Sequence, residues 1–128
     1  MNATELFHQL SLHDSLITGL TQDSEAGVLR LKIELGNYNQ RTYDAAKDPE
    51  TIPGELLFVG VSDYEHEPKN GLTISEAQDG QIINVEATPS GDGLSDIKIV
   101  VVVSDYRADV EETQVFRFRT KDVTWYPD

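Results

Sequence analysis

The segment VLRLKIELG, residues 28–36, restricts the fold of this chain more than any other stretch. Leucine or isoleucine occupies every second position from Leu29 to Leu35, and charged residues fill the positions between them. Because side chains alternate between the two faces of a strand, this pattern predicts a β-strand with one buried and one solvated face. The preceding LHDSLITGL is its predicted partner, joined to it as a hairpin through the polar residues 22–27.

Two later segments are apolar at both parities, ELLFVGVSDY at 55–64 and SDIKIVVVVSDY at 95–106. Each predicts a single strand that is covered on both faces. TQVFRFRT at 113–120 alternates again and predicts another strand, and apolar residues near Trp125 close the chain.

Turn-forming residues separate these segments. The polar stretch between Gly36 and Gly54 predicts a short strand near Gln40 to Tyr43, followed by a loop. The Asp79-Gly80 dipeptide predicts a two-residue hairpin between LTISEA and QIINVEA, and SGDG at 90–93 predicts a further turn.

The start MNATELFHQL predicts a short helix with Asn2 as its N-cap, Glu5 three positions later and an apolar face. The complete pattern predicts a mainly β fold of about seven or eight strands with this one short N-terminal helix. An antiparallel sandwich, an open barrel and one strongly curved sheet are all compatible with the pattern, and an α+β arrangement is the alternative. At 128 residues, we expect a single domain over residues 1–128.

The chain contains no cysteine and has a net charge of −13. Residues 44–112 carry sixteen Asp or Glu against four Lys or Arg. This acidity argues against nucleic acid and anionic membranes as partners and favours a basic protein partner. The sequence has neither a secretory signal pattern nor an apolar run of membrane-spanning length, so we expect a cytoplasmic location.

The tetrapeptide VSDY occurs at 61–64 and at 103–106, each time after apolar residues and before further acids. One interpretation is coincidence among strand-favouring residues. The other is that two neighbouring strands end at one rim, where tyrosines and carboxylates form a patch that binds a basic protein. The predicted contact residues are Asp63, Tyr64, Glu65, Asp105, Tyr106, Asp109, Glu111 and Glu112.

His13, Asp14 and Ser15 are adjacent in sequence, but a catalytic relay needs its three groups within mutual hydrogen-bond reach. A structural role for Asp14 or Ser15 in bonding the backbone is the favoured interpretation. His66 between two glutamates is expected in a solvated loop, because alternate residues of an extended segment converge poorly on a metal.

No phosphate-binding or calcium-loop motif occurs, so we expect no cofactor, no metal site and no catalytic residues. The basic group formed by Arg117, Arg119 and Lys121 is expected to pair with acids on an adjacent strand.

The segments FHQLSLHDSLITGL, VLRLKIEL and LLFVGVSDY resemble small bacterial β-rich proteins that begin with a helix and a His-Asp-Ser strand. Several such families are similar to immunity proteins of polymorphic toxin systems, which neutralise a toxin in the cytoplasm. The resemblance covers about the first half of the chain and rests on Leu12, His13, Asp14, Ser15, Ile17, Leu57, Phe58, Gly60 and Val61. It implies a binding protein with no catalytic residues to transfer.

The leading hypothesis is therefore a non-catalytic acidic protein that neutralises a basic toxin by protein contact. The alternative is a bacterial housekeeping or small-ligand-binding β domain in which the acidity only maintains solubility.

Overall fold

The computed structural model describes all residues 1–128 and confirms a mainly β fold with one short N-terminal helix. Eight antiparallel strands form one open sheet in the order β4-β7-β6-β5-β1-β2-β3-β8. The elements are α1 Ala3–Gln9, β1 Leu16–Asp23, β2 Val28–Gly36, a 3-10 turn Asn37–Asn39, β3 Thr51–Val59, β4 Ser62–Glu67, β5 Gly80–Gly91, β6 Leu94–Asp105, β7 Val110–Thr120 and β8 Asp122–Pro127. The only α-helix has seven residues, and no helix meets the length and apolarity that a membrane span requires.

The sheet is strongly curved and consists of two four-stranded halves. We call β1, β2, β3 and β8 the first half-sheet, and β4, β5, β6 and β7 the second half-sheet. The two halves are joined where β1 pairs with β5, and this pairing has only two residue pairs, Leu16 with Gln81 and Ile17 with Gly80. Pairing between β6 and β7 extends over eleven residue pairs, so the join is the narrowest part of the sheet.

The inner faces of the two half-sheets pack against each other and form the core. Phe58 of β3 meets Phe118 of β7 edge to face, with ring centroids 4.9 Å apart. The helix covers one end of this core through Phe7, whose ring lies 6.5 Å from that of Phe58. The seventeen buried apolar residues are Ala3, Leu12, Ile17, Leu29, Leu31, Ile33, Leu35, Leu56, Phe58, Ile82, Ile97, Ile99, Val101, Val103, Phe116, Phe118 and Val123.

The short helix forms as the sequence predicts. The Asn2 side-chain oxygen accepts a hydrogen bond from the Glu5 backbone N–H at 2.8 Å, and the Asn2 amide donates to the Glu5 carboxylate at 2.7 Å. These bonds satisfy groups that an uncapped first turn leaves free. Since seven residues are too few for an isolated helix, contacts with the core supply the remaining stability.

A sharp corner separates β3 from β4, and the prediction of one strand over residues 55–64 is therefore wrong. Gly60 adopts a left-handed conformation with φ of 63°, so β3 ends at Val59 and the chain crosses to the second half-sheet. The connection from β7 to β8 lies at the same corner. There, Lys121 N–H and the Thr120 hydroxyl both donate to the Val59 carbonyl, at 3.0 and 2.8 Å.

The predicted strand near Gln40 to Tyr43 does not form. The chain makes a 3-10 turn at Asn37–Asn39 instead, and the Gln40 amide then bonds backbone groups elsewhere. It accepts from Ser11 N–H at 2.9 Å and donates to the carbonyls of Ser11 and Gly36 at 2.7 and 3.0 Å. Gln40 thus connects the end of the helix to the end of β2, which takes the place of a strand ladder.

The predicted hairpin at Asp79-Gly80 is also wrong. Residues 72–79 contain only an isolated bridge between Ser75 and Gln78, and Gly80 already belongs to β5, opposite Val103. In place of a strand ladder, side chains of β7 bond the backbone of Leu72 in this segment. The turns at 22–27 and 90–93 are confirmed as the β1–β2 and β5–β6 hairpin connections.

The corner gives a direct test of backbone conformation. A Cβ added at Gly60 would lie 2.8 Å from Lys121 Cβ, whereas one added at Gly93, with φ of 74°, would meet nothing within 4 Å. Both substitutions carry the left-handed penalty of about 1–2 kcal/mol. We expect Gly60→Ala to lower the unfolding free energy by at least about 1 kcal/mol more than Gly93→Ala, measured by urea denaturation. Equal losses would show that the contact with Lys121 does not constrain the corner.

Candidate functional site

The outer face of the second half-sheet combines half-buried apolar side chains with charged ones. On β7, alternate residues from Gln114 to Thr120 are buried, and the residues between them lie on the outside. The same alternation holds for β6, whose residues from Ser95 to Val103 are buried at every second position. Side-chain identity at the remaining positions therefore decides the chemistry of this face.

Three apolar side chains occupy the middle of the outer face. Val100 of β6 lies opposite Val115 of β7, and Val102 lies in the next outward position of β6. Ile83, which is at a bulge in β5 and 42% exposed, instead lines a cavity with residues of the helix and of the segment after it. We call Val100, Val102 and Val115 the valine patch.

No element packs over this face, so the prediction that the 95–106 strand is covered on both sides is wrong for its outer side. The valines there are half-buried only because their neighbours on the sheet flank them. The 55–64 segment differs from its prediction in the same way, since Leu57 is half-buried and Val59 is exposed on the outside of the first half-sheet.

Next to the valine patch lies a groove of about 320 Å³. Residues from all four strands line it, and they include four carboxylates and three cationic side chains. The cross-strand register places Glu86, Lys98, Arg117 and Glu65 in one row, so two positive groups lie between two negative ones. We call this the charged groove.

The arginines of the charged groove are paired with acids on neighbouring strands, which confirms the prediction for both of them. Arg119 Nε donates to Asp96 at 2.9 Å and lies 3.6 Å from Asp63, while Arg117 lies 3.7 Å from Glu67. The hydrogen bond to Asp96 and the charges of Asp96 and Asp63 raise the pKa of Arg119. Lys121 forms no ion pair and instead packs its aliphatic stem near Gly60.

At the other end of the face, the β6–β7 turn presents an exposed aromatic ring. Tyr106 is 72% exposed. The Asp105 carboxylate accepts hydrogen bonds from the backbone N–H groups of Arg107 and Ala108, at 3.1 and 3.2 Å, and Asp109 adopts a left-handed conformation with φ of 53°. Side-chain bonding of this kind orders the turn and therefore limits the conformations of the chain that carries the tyrosine.

The predicted contact residues do not meet at one rim. Asp63 and Glu65 lie beside Arg119 and Arg117, whereas Asp105 ends β6, and Tyr106 and Asp109 belong to the β6–β7 turn. The distance from Glu111 to Arg117 along β7 is about 20 Å at about 3.3 Å per residue. Asp63, Glu65 and Glu111 nevertheless share the outer face, while Tyr64 and Glu112 lie on the inner side.

The acidic stretch 44–112 does not fold into one continuous anionic face. Its carboxylates are divided between the loop before β3, the first half-sheet and the second half-sheet. Several of them are also locally neutralised, including Glu55, which pairs with Arg30 at 3.2 Å. The high negative charge is consequently a property of the whole surface.

Tyr64 packs its ring against Phe118, with centroids 6.2 Å apart, and is half-buried. Burial raises the pKa of its hydroxyl to about 12. Its ring therefore supports the core beneath β4, on the side opposite to Asp63 and Glu65.

Glu112 and His66 belong to a polar network that attaches residues 68–74 to β7. Buried Gln114 contacts His66 Nε2 through its oxygen at 2.6 Å, and its amide donates to the Leu72 carbonyl at 2.7 Å. The Glu112 carboxylate accepts from Leu72 N–H and from the Gln114 amide, both at 2.8 Å. His66 also stacks on Phe116 at 4.1 Å, so the prediction of a solvated loop is wrong.

Within the His13, Asp14 and Ser15 run, Ser15 and Asp14 make structural hydrogen bonds. Ser15 is buried, and its hydroxyl oxygen accepts from the Gly36 backbone N–H at 2.9 Å. This bond confirms the prediction that Ser15 bonds the backbone. Asp14 is left-handed, with φ of 63°, and its carboxylate accepts a hydrogen bond from the Gln81 side-chain amide at 3.0 Å. His13 is exposed and 3.5 Å from Asp14.

No group of three or more His, Asp or Glu side chains is placed to hold a metal ion. Comparison with protein-family models, with curated proteins and with solved structures gave no match. The site is therefore defined by its own geometry.

Analysis of the sequence did not identify the valine patch. The signal for it was the run of four consecutive valines at 100–103, which interrupts the polar alternation set by Asp96 and Lys98. Only the inward members of that run are needed for the core.

Removing the Ser15 hydroxyl leaves the Gly36 N–H buried without an acceptor. We expect Ser15→Ala to lower the unfolding free energy by about 1–3 kcal/mol in chemical denaturation. The substitution His13→Ala, two positions earlier, is the matched control and should change the unfolding free energy by less than about 0.5 kcal/mol, because His13 is exposed. Similar losses in both variants would contradict the structural role of Ser15.

The raised pKa of Tyr64 makes stability depend on pH in alkali. Because the folded protein keeps this proton more tightly than the unfolded chain, the contribution is complete below about pH 10 and is lost as the pH rises towards 12. We expect wild-type unfolding free energy to fall more steeply over this interval than that of Tyr64→Phe, measured by denaturant titration at each pH. Parallel declines would show that Tyr64 is not the responsible group.

Proposed function

We propose that this chain is a non-catalytic protein-binding domain, and that its binding surface is the outer face of the second half-sheet together with the β6–β7 turn. The observation that supports this is the valine patch, which lies uncovered between the charged groove and the acidic turn. An exposed apolar patch rimmed by polar groups is typical of surfaces that bind other proteins.

Tyr106 is the proposed anchor residue. Tyrosines often contribute much of the binding energy at protein interfaces, because a large ring is buried at a low cost in side-chain entropy. The hydrogen bonds of Asp105 to Arg107 and Ala108 order the turn before binding, which reduces that cost further.

Charge complementarity favours a basic partner. Asp105, Asp109 and Glu111 lie close to the anchor in the sequence, and Arg107 is the one cationic residue in the turn. A net charge of −13 attracts a positive protein over distances of about a Debye length, which accelerates association.

The resemblance to immunity proteins suggests which basic protein this is. We propose that the partner is a basic toxin, that the chain blocks it by contact in the cytoplasm, and that catalysis plays no part. The structural roles of Ser15 and His66 support a binding function over an enzymatic one, since the Ser15 hydroxyl and His66 Nε2 are both engaged in internal hydrogen bonds.

The test uses the protein encoded immediately beside this chain's gene, purified and titrated calorimetrically. We expect tight binding, inhibition of its toxicity, and an increase in Kd of at least about tenfold for Tyr106→Ala. Tyr126→Ala is the matched control, because Tyr126 is also exposed, at 52%, but lies on the first half-sheet. Its affinity should equal that of the wild type.

Absence of both binding and inhibition would refute the toxin proposal. Equal effects of Tyr106→Ala and Tyr126→Ala would refute the assignment of the surface.

A further inference from the structure

Strand β4 ends the sheet with one unpaired edge. It pairs with β7 on one side only, through four residue pairs between Ser62 and Glu67. On its other side, β4 approaches β1 and the β1–β2 hairpin, where the Val61 backbone N–H donates to the Gly27 carbonyl at 2.8 Å. Beyond that bond, no strand pairs with this edge of β4.

Two cavities lie along this free edge of β4. One, of about 250 Å³, is lined by residues 61–64 on one side and by the β1–β2 hairpin on the other. The second, of about 220 Å³, is lined by Leu20, His66 and residues 68–74. The first cavity lies beside the start of β4 and the second beside His66 near its end, so open space borders both ends of this edge.

The side chains of β4 specify the chemistry of that segment. Asp63, Glu65 and Glu67 are exposed on the outer face, where Asp63 and Glu67 also lie 3.6 and 3.7 Å from arginines of β7. Tyr64 and His66 are half-buried on the inner face. An added strand continues this alternation, so it would present basic residues opposite the three carboxylates and apolar residues opposite the two rings.

We propose that the free edge of β4 binds an extended segment of the basic partner as an added antiparallel or parallel strand. The segment carries Lys or Arg at every second position, with apolar residues between them. Backbone hydrogen bonds to β4 supply affinity, and the three carboxylates select the basic register. This inference rests on the proposed function, because the same basic protein provides the segment.

The edge also has a protective interpretation, since charged side chains on a free strand discourage pairing between copies of a protein. The two interpretations differ in what happens when a segment of the right pattern is supplied. If the charges only protect the edge, no peptide should bind it specifically. If the edge recognises a partner, a peptide should bind only when basic and apolar residues alternate along it.

The probe is a peptide of four lysines alternating with three valines, added to the full chain. A peptide of the same composition with the lysines in one block is the control for charge. We expect the alternating peptide to bind at least about fivefold more tightly, and to slow amide hydrogen exchange at alternate residues of Ser62–Glu67.

Two double variants test the register with equal changes in charge. Glu65→Gln with Glu67→Gln should weaken peptide binding by at least about fivefold, because two of the three carboxylates are lost. Glu34→Gln with Glu50→Gln removes the same charge from exposed positions on or beside the first half-sheet and should leave affinity unchanged.

Equal binding of the two peptides, or slowed exchange confined to other strands, would overturn the inference. Self-association of the Glu65→Gln, Glu67→Gln variant, together with no binding of the alternating peptide to the unaltered chain, would overturn it in favour of protection. If the alternating peptide fails while the toxin still binds through Tyr106, only the edge inference is lost. If the toxin fails to bind, the proposed function is lost, whatever the peptide does.

Discussion

The structure depends on face-to-face packing between two half-sheets that share very little backbone pairing. Two residue pairs join β1 to β5 on one side. On the other side, the chain passes between the halves at Gly60, between β3 and β4, and at Lys121, between β7 and β8. Contacts such as Phe58 against Phe118 must therefore hold the halves together. Burial of apolar surface across this layer is the dominant stabilising term, since hydrogen bonding at the join is so limited.

This arrangement leaves function to the outside of the molecule. The inner faces and the helix fill the core, and polar residues that enter it, such as Gln114, are engaged in internal hydrogen bonds. Ser15 and His66, which the sequence presents as possible catalytic or metal-binding residues, also make internal contacts: Ser15 bonds the Gly36 backbone, and His66 stacks on Phe116. Uncovered apolar side chains occur instead at Val100 and Val115, where a second protein can cover them.

Electrostatics contributes at two ranges. Close to the surface, Arg117 and Arg119 are paired with carboxylates, which organise the charged groove and contribute little to stability because they are exposed. At long range, the excess of unpaired acids makes the whole surface negative. A partner is thus attracted by the total charge, and its orientation depends on local features such as Tyr106 and the edge of β4.

The sequence by itself determined the features that depend on neighbouring residues. The alternation of residues 28–36, the Asn2 cap and the turn at 90–93 are local, because strand parity, capping and turn conformation involve only a few adjacent positions. Only the tertiary structure decided which faces are covered, where the sheet turns a corner at Gly60, and that Tyr64 faces inward while Tyr106 faces solvent. Those outcomes depend on contacts between residues far apart in the chain, and identical VSDY segments consequently acquire different surroundings.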